Sequence, residues 1–340
     1  AATFLSYSVS FSLREFGSPA MPEIVLEGES LTYIQSGKAK ERLKFPLRDA
    51  FLKSVVLGKK STPFISTNDL SQEQSTYDVS SLIQLHADGG SRGLPQKISA
   101  HSSPKTILGG TNTKSHPTVL AAKREMQSWQ FLQLEPSALR KPDDFSARPA
   151  VTSSGEHLPS TLKRLGDQGA SAVASQLAEI LPDVQEVFAD TDEGRRLITL
   201  FVKGRDGIAH PARSLSDGTL RFLALSLIAN DPLASGLICM EEPENGIHPK
   251  RIPVMLDLLH NLSVSTNDPV GEDNRMRQVI VNTHSPVVVQ ALPIDCLVVA
   301  RPARHRGSAP PPAPAWARAW RWPRRTTTWA ITSAAAARAT

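Results

Sequence analysis

The stretch Gly236-Leu-Ile-Cys-Met-Glu-Glu-Pro-Glu-Asn-Gly-Ile-His-Pro249 is a short apolar run that ends in two adjacent carboxylates, Glu241 and Glu242. An apolar run of this length, without alternation, reads as a strand buried on both faces of a parallel sheet. In an open α/β sheet, ligands bind beyond the carboxyl ends of the strands. Two charges at that place are costly unless a cation, a ligand or water compensates them. With a ligand, one carboxylate can hold Mg²⁺ while the other orients or deprotonates an attacking water. With water alone, the stretch is an idle acidic loop.

The neighbouring sequence repeats the pattern. Gln278-Val-Ile-Val-Asn282 reads as a second buried strand, followed by Thr283-His-Ser-Pro286. A histidine there can hydrogen-bond a phosphate or a water, or simply end the strand. Upstream, Ser214-Leu-Ser-Asp-Gly-Thr-Leu-Arg221 opens a helix capped by Ser216 or Asp217 and running to about Asn230. Leu220, Leu223, Leu227 and Ile228 share one of its faces. A helix start with Ser and Gly offers free N–H groups and a positive dipole end to a phosphate, or is an ordinary cap. Pro249 suits the first turn of a helix over Lys250–Leu262. From residue 216 the order is helix, strand, helix, strand, helix, an α/β arrangement with right-handed crossovers.

The N-terminal half is less explicit. Phe4 to Leu13 alternates with period 2 and predicts a strand; Gly17-Ser-Pro19 is turn chemistry and Glu23–Glu27 a second strand. The lysine-rich stretch Lys38–Lys44 and the polar segment Lys59–Tyr77 predict nothing firm. Residues 87–117 are rich in Gly, Ser and Pro and read as loop. Helical spacing covers Val119–Gln133, stopped by Pro136. Shorter helices fit His157–Leu165 and Ser171–Leu181, and strands fit Val184–Ala189 and Leu197–Val202. Three parts follow: a β-rich subdomain with loops and one helix over 1–150, an α/β core over 151–300, and a tail over 301–340.

That tail holds eight Arg and no Lys, Asp or Glu, whereas the whole chain is +5, so the first 300 residues stand at −3. The body is therefore mildly acidic, without the footprint of a nucleic-acid binder. Twelve Ala, six Pro and four of the five Trp also fall in the tail, which has no apolar periodicity. It begins just after the strand-like run Cys296–Ala300. It is either a basic aromatic arm for nucleic acid or a low-complexity extension that buries no core. Cys239 and Cys296 alone cannot make a disulfide framework or a four-ligand zinc site, so a reducing, cytoplasmic setting is expected. No apolar run is long enough to span a bilayer, and no membrane role is expected.

Taken together, "LSDGTLRFLAL", "EEPENGIHP" and "NTHSP" resemble the RecF/SMC-like ATPases of the AAA family, whose heads are of the ABC type. Leu134–Pro142 and Ser153–Leu158 look like the same family. The resemblance implies a parallel-sheet core with an antiparallel β subdomain. It also implies ATP and Mg²⁺ as ligands, and a head-to-tail dimer, with itself or a second head, that sandwiches ATP. DNA is a partner by analogy only. By position, Glu241 would hold Mg²⁺, Glu242 would be the general base, and His284 would sense the γ-phosphate. Ser216, Asp217 and Gly218 would touch the nucleotide of the opposite protomer, with Asn245 and Gly246 at the same junction. One element is missing: no G-x-x-x-x-G-K-[ST] loop occurs. Gly37-Lys38, Gly58-Lys59 and Gly109-Gly110 with Lys114-Ser115 do not fit the spacing. The implied head is thus incomplete at its N-terminus, or is a non-catalytic head that lends its loop to a partner. A third alternative is a nucleic-acid binder that uses the tail.

Overall fold

The alternating pattern at the start of the chain forms β1 (Leu5–Phe16), paired antiparallel with β2 (Met21–Tyr33), with a register shift between Ser10 and Phe11. The computed structural model describes residues 4–16, 21–43, 48–55, 62–68, 82–88, 94–103, 105–112 and 114–298. The expected turn at Gly17-Ser-Pro19 and the whole tail from 301 lie outside these residues.

Short helices α1 (Ser36–Leu43) and α2 (Asp49–Val55) follow, the first in the lysine-rich stretch where the sequence predicts no element. Strands β3 (Ile65–Asn68), β4 (Leu82–Leu85) and β5 (Gln96–Ser99) extend the hairpin into a five-stranded antiparallel sheet of order β1-β2-β3-β4-β5. Helices α3 (Ile107–Gly110) and α4 (Pro117–Gln127) pack on it through Leu108, Val119 and Ala122. The single helix expected before residue 150 is therefore corrected to several, and the segment 87–117 contains β5 and α3. Glu29 is buried in this layer and ties it together. Its carboxylate accepts the backbone N–H of Ile107 at 2.6 Å and of Leu108 at 2.8 Å, and the Tyr7 hydroxyl at 3.0 Å. Burial still pushes the Glu29 carboxyl above its usual range.

The helix expected over Val119–Gln133 ends early. The Ser128 N–H closes it on the Arg124 and Glu125 carbonyls, and the chain turns into β6 (Gln130–Leu132). Then come α5 (Pro136–Leu139), β7 (Asp143–Asp144) and α6 (Leu158–Ile180). The two helices expected over 157–181 are one run broken at Gly166, whose φ of 67° and ψ of −169° interrupt the helix. Strands β8 (Val184–Asp192), β9 (Leu197–Gly204) and β10 (Ala209–Pro211) form a second antiparallel sheet, in which β7 also pairs with β9.

The last third builds the core. Helix α7 (Asp217–Asn230) is buried nearly all round. From Gly218 to Ile228 only Arg221 is part-exposed, which replaces the expectation of a single apolar face. It leads to β11 (Gly236–Glu241), then a 3₁₀ turn at Pro249–Arg251, α8 (Ile252–Leu262), β12 (Arg277–Asn282) and α9 (Pro286–Ala291). The order helix, strand, helix, strand, helix is as expected. The strand-like run from Cys296 is instead a 3₁₀ turn at Ile294–Cys296, with residues 299–300 outside the described part.

Strands β12, β11 and β6 make a three-stranded parallel sheet in that order. Because β6 and β7 pair with later strands, the division expected at residue 150 cuts through both C-terminal sheets. Ile238, Met240 and Leu132 face the core. On the opposite face Cys239 stands level with Phe131 and Ile280, which are 67% and 56% exposed. The expectation of strands buried on both faces is corrected here: one face is packed, and the other presents an apolar row. Among the described residues, no helix is long and apolar enough to cross a membrane.

Candidate active site at the strand ends

Strands β11 and β12 run in register, with Glu241 opposite Asn282. Their carboxyl ends therefore release Glu242 and Thr283 side by side. Glu242 takes a left-handed conformation, φ 45°, uncommon for a residue with a side chain. Its N–H is held by the Asn282 carbonyl at 2.8 Å. That turn swings its carboxylate to His284, whose Nδ1 lies 2.7 Å from Oε1, while Asn245 Nδ2 donates to Oε2 at 2.6 Å. Both carboxylate oxygens thus have a partner. The Glu242 side chain is 24% exposed and that of His284 85%, so the pair opens to solvent on the histidine side.

A second link stitches the two loops. The Thr283 hydroxyl donates to the buried Glu244 carboxylate, and Thr283 Oγ1 accepts the Ser285 N–H at 3.0 Å. The other oxygen of Glu244 is buried without a partner among the described residues. Glu241 ends β11 and lines a cavity of about 650 Å³ on the open face of the sheet, together with Gln133, Glu135, Cys239 and Asn282. Among the described residues no lysine or arginine lines it, and Lys141, outside the lining, acts electrostatically on Glu135. The carboxylate and amide oxygens that line it are of the kind a hard divalent cation takes, although among the described residues no three His, Cys, Asp or Glu side chains cluster as a metal site.

The loop that opens α7 comes to the same place. Ser216 is the N-cap, its Oγ accepting the Thr219 N–H at 3.3 Å. Asp217 pairs with Arg140 at 2.5 Å. Gly218 packs on the backbone of Gly246: a Cβ at 218 would overlap the Gly246 carbonyl oxygen. Backbone cannot yield as a side-chain tip does, so Gly218→Ala should cost about 1–3 kcal/mol. Urea unfolding measures this. Gly271→Ala, whose Cβ meets nothing within 4 Å, is the matched control. Equal stability of the two variants would show that the 218 and 246 loops separate freely.

The eight candidate residues from the sequence thus fall into two groups that touch. Glu241, Glu242, Asn245, Gly246 and His284 sit at the strand ends, and Ser216, Asp217 and Gly218 abut them through Gly246. Sequence reasoning missed Gln133, Glu135, Arg140, Glu244 and Thr283. Gln130-Phe-Leu-Gln-Leu134 has no period-2 alternation, and Phe131 and Leu132 fit the helical spacing that precedes them, so β6 carries no sequence signal of its own. Glu244 and Thr283 stand inside the quoted motifs, and only the fold shows them facing each other.

The paired carboxylates and the histidine stand at the ends of a parallel sheet, next to a capped helix start. A family model described as "AAA domain, putative AbiEii toxin, Type IV TA system" matches residues 120–290, half of the chain, and the chain belongs to this AAA family. No curated protein matches the chain. Among solved structures it is similar to the Smc head domain with an extended coiled coil from Pyrococcus furiosus, bound to the C-terminal domain of ScpA. The identity is 9%, over 38% of this chain and 31% of that one, with a TM-score of 0.28. A Smc head domain with coiled coil and joint from Pyrococcus yayanosii gives 12% identity, 36% and 23% coverage, and a TM-score of 0.27. A SmcHead bound to the C-winged helix domain of ScpA gives 11%, 85%, 91% and 0.36. The chain therefore spans about a third or less of the first two structures' own length.

Proposed function

We propose that this chain is an ATP-binding and ATP-hydrolysing head that works as a head-to-tail pair, with a second copy or another head. The observation that carries the proposal is the Glu242 carboxylate held between His284 and Asn245, beside a cavity lined by Glu241. On this proposal Glu241, helped by Gln133 and Asn282, would hold Mg²⁺. Bound Mg-ATP supplies the electrophilic phosphorus and the leaving group. Glu242 takes the proton of the attacking water at its carboxylate. Asn245 fixes the plane of that carboxylate, and His284, whose Nδ1 pairs with Glu242, would have Nε2 left to hydrogen-bond a γ-phosphate. Ser216, Asp217 and Gly218 offer the start of α7 to the nucleotide of the opposite head.

A cradle for the β- and γ-phosphates is needed as well. We assign it to a segment outside these 340 residues, seated against the edge of β12 that pairs with no strand among the described residues, and over the apolar row. Parallel sheets ordinarily have both faces covered, which supports that placement. The cytoplasm is the proposed setting, and DNA a proposed partner. Equilibrium titration with a fluorescent ATP analogue tests the assignment. This chain alone should bind weakly, and the same chain joined to a phosphate-loop segment should bind tightly, dimerise and release phosphate. Micromolar binding by this chain alone, abolished by chelating Mg²⁺, would place the phosphate loop at one of its own glycine–lysine pairs. Dimerisation without phosphate release would favour a head that only lends its loop to a partner.

A further inference from the structure

We propose that Arg140 is a positioning residue that fastens the Ser216–Gly218 loop to the wall of the strand-end cavity. Its guanidinium bridges two segments distant in the chain. Nη1 donates to the Pro136 carbonyl at 2.9 Å. Nη2 donates to the Leu215 carbonyl at 3.0 Å and to the Asp217 carboxylate at 2.5 Å. Leu215 and Asp217 flank the N-cap Ser216, so the loop is gripped on both sides of the residue that starts α7. Pro136 opens α5, and the preceding Glu135 lines the cavity with Glu241.

A planar fork with several donors is required for this grip. A lysine could keep the charge pair with Asp217 but could not also hold both carbonyls in their fixed directions. The side chain of Arg140 is only 28% exposed, which limits its other rotamers. The consequence is mechanical. The cavity wall over 133–136 and the loop over 215–218 move as one body, so occupancy of the cavity sets the surface offered to a second head. The functional meaning of this coupling rests on the head-to-tail reading above; the positioning itself does not.

Hydrogen exchange on the 340-residue chain, without nucleotide, tests it. The reporters are the amides of Thr219 and Leu220, bonded to the Ser216 hydroxyl and carbonyl. In Arg140→Gln these amides should exchange about tenfold faster, with the β11 amides unchanged. Arg140→Lys should fall between Arg140→Gln and the parent chain, and it carries the comparison if the glutamine variant does not fold. Unchanged exchange at Thr219 and Leu220 overturns the proposal. So does an equal rise across β11, which would mark a general loss of stability. Because no nucleotide is present, failure here leaves the ATPase proposal standing, and failure of the ATP titration leaves this one standing.

Discussion

Glu242→Gln should abolish most phosphate release in the head completed with its phosphate loop, by about 10²–10⁴-fold, while nucleotide binding persists. The substitution is nearly isosteric, and it keeps a carbonyl oxygen that Asn245 can still donate to. It removes the basic oxygen that His284 now pairs with at 2.7 Å. The left-handed backbone at residue 242 is no worse for Gln than for Glu, so the turn that aims the side chain should survive. The ATP-held dimer should then outlive that of the parent, because its contacts remain while turnover stops. Size-exclusion chromatography with ATP and a phosphate-release assay read the two effects. Glu241→Ala should behave differently, raising the Mg²⁺ needed for binding. Parent-like phosphate release from Glu242→Gln would remove this carboxylate from the role of base.

The second large effect concerns stability. Phe222→Ala should cost about 3–5 kcal/mol in urea unfolding, within the range for emptying a packed core site. Phe222 is 1% exposed, in a helix whose neighbours Leu220, Leu223, Leu225 and Leu227 are all fully buried. Helix α7 lies against α5, α6 and α8, so no flexible surface can collapse into the space. The same helix presents Ser216 and Gly218 at its start, which ties core packing to the position of that loop. A cost below about 1 kcal/mol would mean that the helix repacks easily, contrary to its burial.

Legibility of the fold followed the strength of periodicity. The apolar runs at 236–240 and 278–282 read directly as strands, because they are short, rich in apolar residues and bounded by polar and turn-forming residues, too short for a helix. Ser216 and Pro249 marked helix starts through specific backbone chemistry. In contrast, Trp129 and Phe131 satisfied helical and strand spacing at once, and only pairing with β11 decides for a strand. The open face of the sheet was not legible either. An apolar run reads as buried on both sides whether or not a covering element is present, so exposed Ile280 could not be told from buried Ile238. The candidate site was legible in its members but not in its bonds. The motifs name Glu242, Asn245 and His284, but the left-handed turn at 242 that joins them has no residue-type signature. Arg140 is still further from view, since its partners lie at 215 and 217.

The apolar row on the open face has a practical consequence. Cys239 stands at its centre, flanked by Phe131 and Ile280, and its thiol is pushed up by partial burial. A thiol with a raised pKa reacts slowly with a maleimide, and anything that settles over the row slows it further. The exposed Cys296 is the only other thiol in the chain and can be replaced by serine. The resulting single-cysteine protein carries its own chemical clock, with labelling rate reporting moment by moment whether that face is bare or occupied.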